Sequence, residues 1–222
     1  MDQRVVELRL TRAAADRRLL DHPFYKSWAA GTLERDDLGF YAGQYWRQVE
    51  AFPDYLRGIV GRMGPGRPRE TVAANLSDEV DDDHAGLWLQ FAKALGRDEA
   101  AVRTAPAEPE TAACVSSFSR RAQSASLPFA LGMLYGYESQ TPEVATTKVT
   151  GLRDHYGIVG RAAEYFELHG ELDVEHSAEL AAAIAELCVS EDDLSQAEAG
   201  AREGAEAIYG LLDGVARVRG IL

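Results

Sequence analysis

Cysteine is almost missing from this chain: Cys114 and Cys188 are the two in 222 residues. They stand apart in apolar surroundings, so paired zinc-type spacing is absent and a disulfide framework is excluded for a chain of this size. The expectation is two buried thiols. Basic residues are also in deficit, with 23 Lys and Arg against 36 Asp and Glu, a net charge of −13. Such a surface repels phosphate backbones and anionic headgroups, which argues against nucleic acid and against membranes as partners. No apolar run reaches the length of about 18 residues that a bilayer demands. The opening MDQRVVELRL has neither the apolar core nor the small-residue cleavage site of a secretory signal, and a cytoplasmic location is expected. Strand patterning is absent too, because Val and Ile never alternate with polar residues for long.

What remains is helical periodicity, punctuated by Pro and Gly. Val5, Leu8, Leu10, Leu19 and Leu20 mark a first amphipathic segment. Pro23 suits the first turn of a short helix, Gly31 ends it, and Thr32 is placed to cap the next. Leu33, Leu38, Tyr41, Tyr45, Val49, Phe52, Leu56 and Ile59 recur at helical spacing, giving a long helix to about Arg62 with Pro53 as a predicted kink. After the Gly64–Pro68 loop, helices are predicted over Arg69–Asp81 and His84–Leu95, with Gly96 as a stop. A loop over Thr104–Pro109 precedes Glu110–Ser124, Pro128–Ser139, Pro142–His155, Arg161–Leu168 and Leu172–Cys188. Ser190 and Asp193 form a variant capping box that opens a last helix to about Val218. With 46% apolar residues, no repeat and no long linker, the prediction is one all-α bundle domain over residues 1–222.

Four places could carry chemistry. His169, Asp173 and His176 fall within about 60° on one helix face, and two imidazoles with a carboxylate suit a redox metal such as iron. The same segment holds Glu167, Glu171, Glu175 and Glu179, so a solvated polar face is the competing reading. Gly170 weakens that helix by ~1 kcal/mol against alanine. Glu138 sits in the apolar, aromatic stretch Leu134–Gln140, where a buried charge demands a cation, a hydrogen-bond network or a metal; the alternative is an outward-pointing helix end before Pro142. The acidic run Asp78, Glu79, Asp81, Asp82 and Asp83, beside His84, is by itself an ordinary solvated helix end. One carboxylate and one histidine from it, with Glu138 and the trio, would complete two three-ligand sets, the logic of a di-iron carboxylate site within a bundle. Phe24, Tyr25, Trp28, Tyr41, Tyr45 and Trp46 read as core, although tyrosines beside a redox metal can be oxidised. Lys148 reads as a surface charge unless burial lowers its pKa and makes it an amine nucleophile.

Several stretches in order resemble the chlamydial protein associating with death domains and its bacterial relatives: His22–Trp28, Tyr41–Trp46, Ala51–Leu56, Asn75–Glu79, His84 with Leu87 and Trp88, Leu134–Pro142, and Asp173–His176. The resemblance runs from about His22 to Leu212; the similarity to pyrroloquinoline-quinone synthase and thiaminase-type proteins is more distant. It implies a haem-oxygenase-like fold without haem. It further implies a dimetal oxygenase, iron–iron or iron–manganese, that uses molecular oxygen and an external reductant to make p-aminobenzoate for folate. In that family the protein is its own substrate. The resemblance assigns Tyr25 as the sacrificed ring, Lys148 as the amine donor and Tyr41 as a participant in radical transfer. It implies Glu79, His84, Glu138, His169, Asp173 and His176 as metal ligands, and a homodimer is expected from bundles of this kind. One departure stands out. The family spaces its first Glu and His by about seven residues, two turns of helix, whereas Glu79 and His84 are five apart, ~140° around an ideal helix. Either the chain leaves helical geometry within Val80–Asp83, or Asp81 is the ligand.

Two other functions compete. The same metals could act on an external small molecule, by amine N-oxygenation or carbon–carbon cleavage, or the chain could be a non-enzymatic interaction protein. A metal-free thiaminase-type bundle would need a pocket cysteine, and neither Cys114 nor Cys188 has a nucleophile context.

Overall fold

The structure, a computed structural model, describes residues 1–81 and 83–221, so Asp82 of the acidic run lies outside it. In chain order the helices are α1 (Gln3–Ala14), α2 (Pro23–Ala30), α3 (Arg35–Val60), α4 (Arg67–Asp81), α5 (His84–Ala94), α6 (Glu99–Thr104), α7 (Pro109–Ser124), α8 (Leu127–Glu138), α9 (Thr141–Gly151), α10 (Glu164–Leu187) and α11 (Glu191–Arg219). No strand occurs among the described residues, and the all-α class is as predicted. Buried apolar side chains from Val6 to Val215 form one contiguous core.

The caps follow local chemistry. His22 opens α2 by accepting the Phe24 amide on Nδ1 at 3.0 Å, with Pro23 in the first turn and Gly31 ending the helix at φ 66°. The cap of α3 is not Thr32, whose hydroxyl turns back to the Ser27 carbonyl. Instead the Asp37 carboxylate accepts the Glu34 amide at 2.8 Å, which satisfies one of the orphan donors at a helix start. The Ser190–Asp193 box is present as expected. Along α3 every predicted apolar position is buried, and the helix runs through Pro53 without a break.

Four further predictions need correction. In α1 the core-facing residues are Val6, Leu10 and Ala14, while Val5 and Leu8 face solvent; both registers fit helical spacing, and the packing of α1 on α11 selects one. The short helix α6 sits where no element was predicted. The predicted helix over 142–155 stops at Gly151, and a single wide turn over Leu152–Tyr156 ends at Gly157, φ 65°. Finally, α10 is one helix across the expected break at 168–172. Gly170 lowers helix propensity there, but tertiary packing of α10 against α8, α9 and α4 outweighs it.

The tightest pairing is α8 on α11. A Cβ on Gly136 would collide with the Ala201 carbonyl, and one on Gly204 with the Met133 carbonyl. Only glycine lets these backbones approach so closely. That contact fixes α8, whose last residues are Tyr137 and Glu138.

Candidate metal centre

The break between α4 and α5 brings the first carboxylate and histidine together. Asp83 adopts φ 50° and caps α5, its carboxylate accepting the Gly86 amide at 3.1 Å. Asp is among the few residues that tolerate this left-handed conformation. Because the helix is interrupted, the ~140° separation of an unbroken one does not apply, and Glu79 Oε2 lies 3.0 Å from His84 Nδ1. The rival Asp81 is exposed and accepts a hydrogen bond from Ser77 Oγ on its own helix at 2.7 Å.

On α10, His169, Asp173 and His176 share the buried face, while Glu167, Glu171, Glu175 and Glu179 point outward. His169 Nδ1 lies 2.7 Å from the Tyr165 carbonyl, one turn back. A carbonyl only accepts, so Nδ1 carries the proton and the lone pair is on Nε2. That Nε2 is 3.7 Å from Glu79 Oε1. One donor atom from each of Glu79, His84 and His169 lies within 4.8 Å of the others.

Beside this set stand Glu138, Asp173 and His176. His176 Nδ1 is 3.4 Å from Asp173 Oδ1. Glu138 is 2% exposed, so it is buried and does not point outward. Its two oxygens accept from Asn75 Nδ2 at 3.3 and 3.4 Å. Burial, then the Asp173 charge, push the Glu138 carboxyl well above the usual carboxylate range. Burial acts the same way on Glu79, but His169 and His84 overcome it and hold that carboxyl at about 2. For His176 burial opposes the charged form, yet Asp173, Glu138 and Asp78 lift its pKa to about 9.

Does this donor set fit a metal? His84 is 1% exposed, and neither ring nitrogen has a hydrogen-bond partner. Its short approach to Glu79 is out of line for hydrogen bonding. A buried polar atom without a partner costs about 1–3 kcal/mol, and such atoms are rare in native proteins. A cation among these nitrogens and carboxylates would satisfy them. Nitrogen and oxygen donors without sulfur suit iron or manganese. Glu79, His84 and His169 therefore fit a metal ion.

A second buried cluster adjoins the first. Lys148 on α9 is 4% exposed, and burial lowers its pKa to about 7. Its Nζ donates to Tyr41 Oη at 2.8 Å and lies 5.2 Å from the ring centres of Tyr25, Tyr41 and Tyr45. Tyr25 Oη is 3.4 Å from Tyr41 Oη, and burial pushes both phenols above their ordinary range. Tyr45 Oη donates to Tyr137 Oη at 2.9 Å. The Trp28 indole, hydrogen-bonded to the Lys148 carbonyl at 3.2 Å, ties α2 to α9. A cavity of about 10 Å³ is lined by Tyr25, Tyr45, Tyr137, Lys148, Tyr165 and His169 among others. The lysine cage and a histidine of the first set thus face the same space.

The nine residues that the resemblance assigns, Tyr25, Tyr41, Lys148 and the six ligand candidates, are in or beside these two clusters. Sequence reasoning named Asp78 and Asn75 only as members of the acidic run and of a resembling stretch, and gave no role to either: Asp78 Oδ2 is 3.0 Å from His176 Nε2, and Asn75 is the partner of Glu138. Sequence reasoning missed Tyr165, whose ring stacks on His169 at 4.1 Å; its position four residues before His169 was the available signal. The two cysteines are free and buried as expected. No helix among the described residues is long and apolar enough to cross a membrane.

The family described as iron-containing redox enzyme matches residues 40–209. A protein named 4-aminobenzoate synthase from Nitrosomonas europaea is 35% identical over 213 residues, covering 90% of this chain and 86% of that one. Another of that name from Chlamydia muridarum is 35% identical over 201 residues, covering 89% and 84%. Among solved structures, a CADD-like protein of unknown function from Nostoc punctiforme superposes with a TM-score of 0.80 at 16% identity and covers 100% of both chains. At that identity the likeness is one of fold.

Proposed function

This chain belongs to the iron-containing redox enzymes of haem-oxygenase-like fold, and from that premise we propose that it makes p-aminobenzoate for folate, taking the ring from its own Tyr25 and the nitrogen from Lys148. Metal ligation by Glu79, His84 and His169 and by Glu138, Asp173 and His176 is part of the same reading, with iron–iron or iron–manganese as the pair. When bound, the metals supply oxygen activation at the expense of an external reductant.

The observation that carries the reading is convergence. In p-aminobenzoate the nitrogen is para to the carboxyl carbon, where the tyrosine hydroxyl stood. Lys148 Nζ approaches Tyr25 from that end, because one hydroxyl, Tyr41 Oη, contacts both Lys148 Nζ at 2.8 Å and Tyr25 Oη at 3.4 Å. With a pKa of about 7, Lys148 is substantially neutral near neutrality, the form in which an amine is nucleophilic. Tyr41 is placed to relay a proton between the two. The buried aromatic walls exclude bulk water from the reacting groups.

The cavity size bears on the competing enzyme reading. Small-molecule sites usually span about 300–1,000 Å³, and the space between Lys148 and His169 is about 10 Å³, close to the room one water needs. An external aromatic or amine substrate has no place there, whereas Tyr25 already occupies the position. Self-consumption limits each chain to one turnover. The non-enzymatic alternative leaves five buried ligand-type side chains and the half-buried Glu79 without a purpose.

The test is a peptide-mass map of the full chain before and after incubation with ferrous iron, a reductant and oxygen. Mass changes confined to the Tyr25 and Lys148 peptides, with p-aminobenzoate in the filtrate, are expected. Unaltered peptides despite oxygen consumption would sink self-sacrifice and return the search to an external substrate.

A further inference from the structure

Two adjacent carboxylates of α4 serve different histidines of α10. Glu79 faces His169 and His84, while Asp78, its chain neighbour, reaches His176. The Asp78 side chain is 44% exposed at the rim of the centre, and the His176 ring it touches is 6% exposed. The contact, Asp78 Oδ2 to His176 Nε2 at 3.0 Å, meets hydrogen-bond geometry. On the other edge of the ring, Nδ1 lies 3.4 Å from Asp173 Oδ1, a longer contact. A metal binds the neutral imidazole, which has one N–H and one lone pair. With Nε2–H committed to Asp78, the lone pair falls on Nδ1, the edge turned to buried Asp173. His169 is wired the opposite way, because its Nδ1–H goes to the Tyr165 carbonyl and its lone pair is on Nε2.

We propose that Asp78 is a positioning residue that fixes His176 through Nε2–H, so that the two α10 histidines offer opposite ring nitrogens to the metals: Nε2 from His169 and Nδ1 from His176. The inference rests on the metal-centre part of the proposed function. It explains how a short side chain next to Glu79 serves the site without entering either ligand set. It also fits the usual arrangement in which the far nitrogen of a ligating imidazole donates to a carboxylate or carbonyl that fixes its orientation.

The test uses the full chain labelled with ¹⁵N-histidine and loaded with zinc(II), a diamagnetic probe. Long-range ¹H–¹⁵N correlations report which ring nitrogen of each histidine is protonated and which is metal-bound. The expected result is Nδ1–H with metal on Nε2 for His169, and the reverse for His176. In parallel, zinc titrations of Asp78→Ala should show one site losing about 10–100-fold in affinity while the other holds, and Asp78→Asn, whose carbonyl still accepts from Nε2–H, should recover most of the loss. Metal on Nε2 of His176, or unchanged zinc affinities in Asp78→Ala, would overturn this inference and leave the metal centre standing. A wild-type chain that takes up no zinc or iron would overturn both.

Discussion

Lys148 and Tyr41 share one hydrogen bond, 2.8 Å from Nζ to Oη, and among the described residues it is the one polar contact the lysine ammonium makes. No carboxylate pairs with it, so burial acts nearly unopposed and lowers its pKa from 10.5 to about 7. The unfolded chain therefore binds more protons than the folded chain between about pH 7 and 10.5, and stability from this group rises with pH across that window. Below pH 7 the penalty is present in full, on the order of a few kcal/mol; above 10.5 it vanishes. Lys148→Met removes the titration while keeping most of the volume. The stability gap between the variant and the parent should be largest below pH 7 and shrink by pH 10, read from urea unfolding at several pH values. A gap that does not change with pH would mean Lys148 keeps its charge in the folded state.

Tyr41 Oη contacts both Lys148 and Tyr25, so under the proposed function removing its hydroxyl should affect product more than metal. Tyr41→Phe leaves Lys148 without a polar partner, at a cost of about 1–3 kcal/mol. It also breaks the proton route to Tyr25, where such positioned groups typically contribute about 10²–10⁴-fold. Ferrous iron binding should be retained and p-aminobenzoate yield per chain should fall by about 10²-fold or more, measured by mass spectrometry of the filtrate beside an iron assay. Equal losses of iron and product would assign Tyr41 to the fold alone.

Much of this arrangement was legible before the fold. The α3 apolar positions recur at helical spacing and are all buried, and His169, Asp173 and His176 needed only the pitch of one helix. What could not be read depended on contacts between segments distant in sequence. Val5 and Leu8 were as good a helical stripe as Val6 and Leu10 until α11 chose between them. Glu79 and His84 come together because Asp83 turns the chain, and nothing in an acidic run announces that turn. Asp78 is one carboxylate among several until α4 lies against α10 and reaches His176.

His84 offers a direct check on the metal reading. Its imidazole is buried with no hydrogen bond to lose, but it lies 3.0 Å from Glu79 Oε2 and helps hold that carboxyl ionised, so an apolar side chain of similar size should cost the metal-free fold a modest amount of stability. His84→Leu should lower the metal-free melting temperature only modestly. Added ferrous iron stabilises the parent by mass action, about 2.7 kcal/mol at a hundredfold excess over Kd, and most of that rise should be lost in the variant together with bound iron. Thermal melts with and without iron, beside elemental analysis, separate the two effects. A variant that still gains the full rise with iron would remove His84 from the ligand set.

Two glycines test how the scaffold holds the site, with opposite expected signs. At Gly136 an added methyl would strike the backbone carbonyl of Ala201 on α11, and backbone cannot swing aside as a flexible side chain can. Overpacking of this kind costs about 1–3 kcal/mol or more. Because α8 ends at Glu138, shifting it also displaces that carboxylate, so Gly136→Ala should lower both the melting temperature and iron occupancy. Gly170 lies inside α10 with ordinary helical backbone, and a methyl there would meet only Ala145 Cβ at 3.6 Å, a normal contact. Alanine at that point reduces the entropy lost on helix formation and should stabilise by roughly 0.5–1 kcal/mol. Chemical denaturation of the metal-free chain reads both. If Gly170→Ala destabilises instead, α10 needs the freedom of glycine next to His169, and a rigid helix is the wrong description of how these ligands are presented.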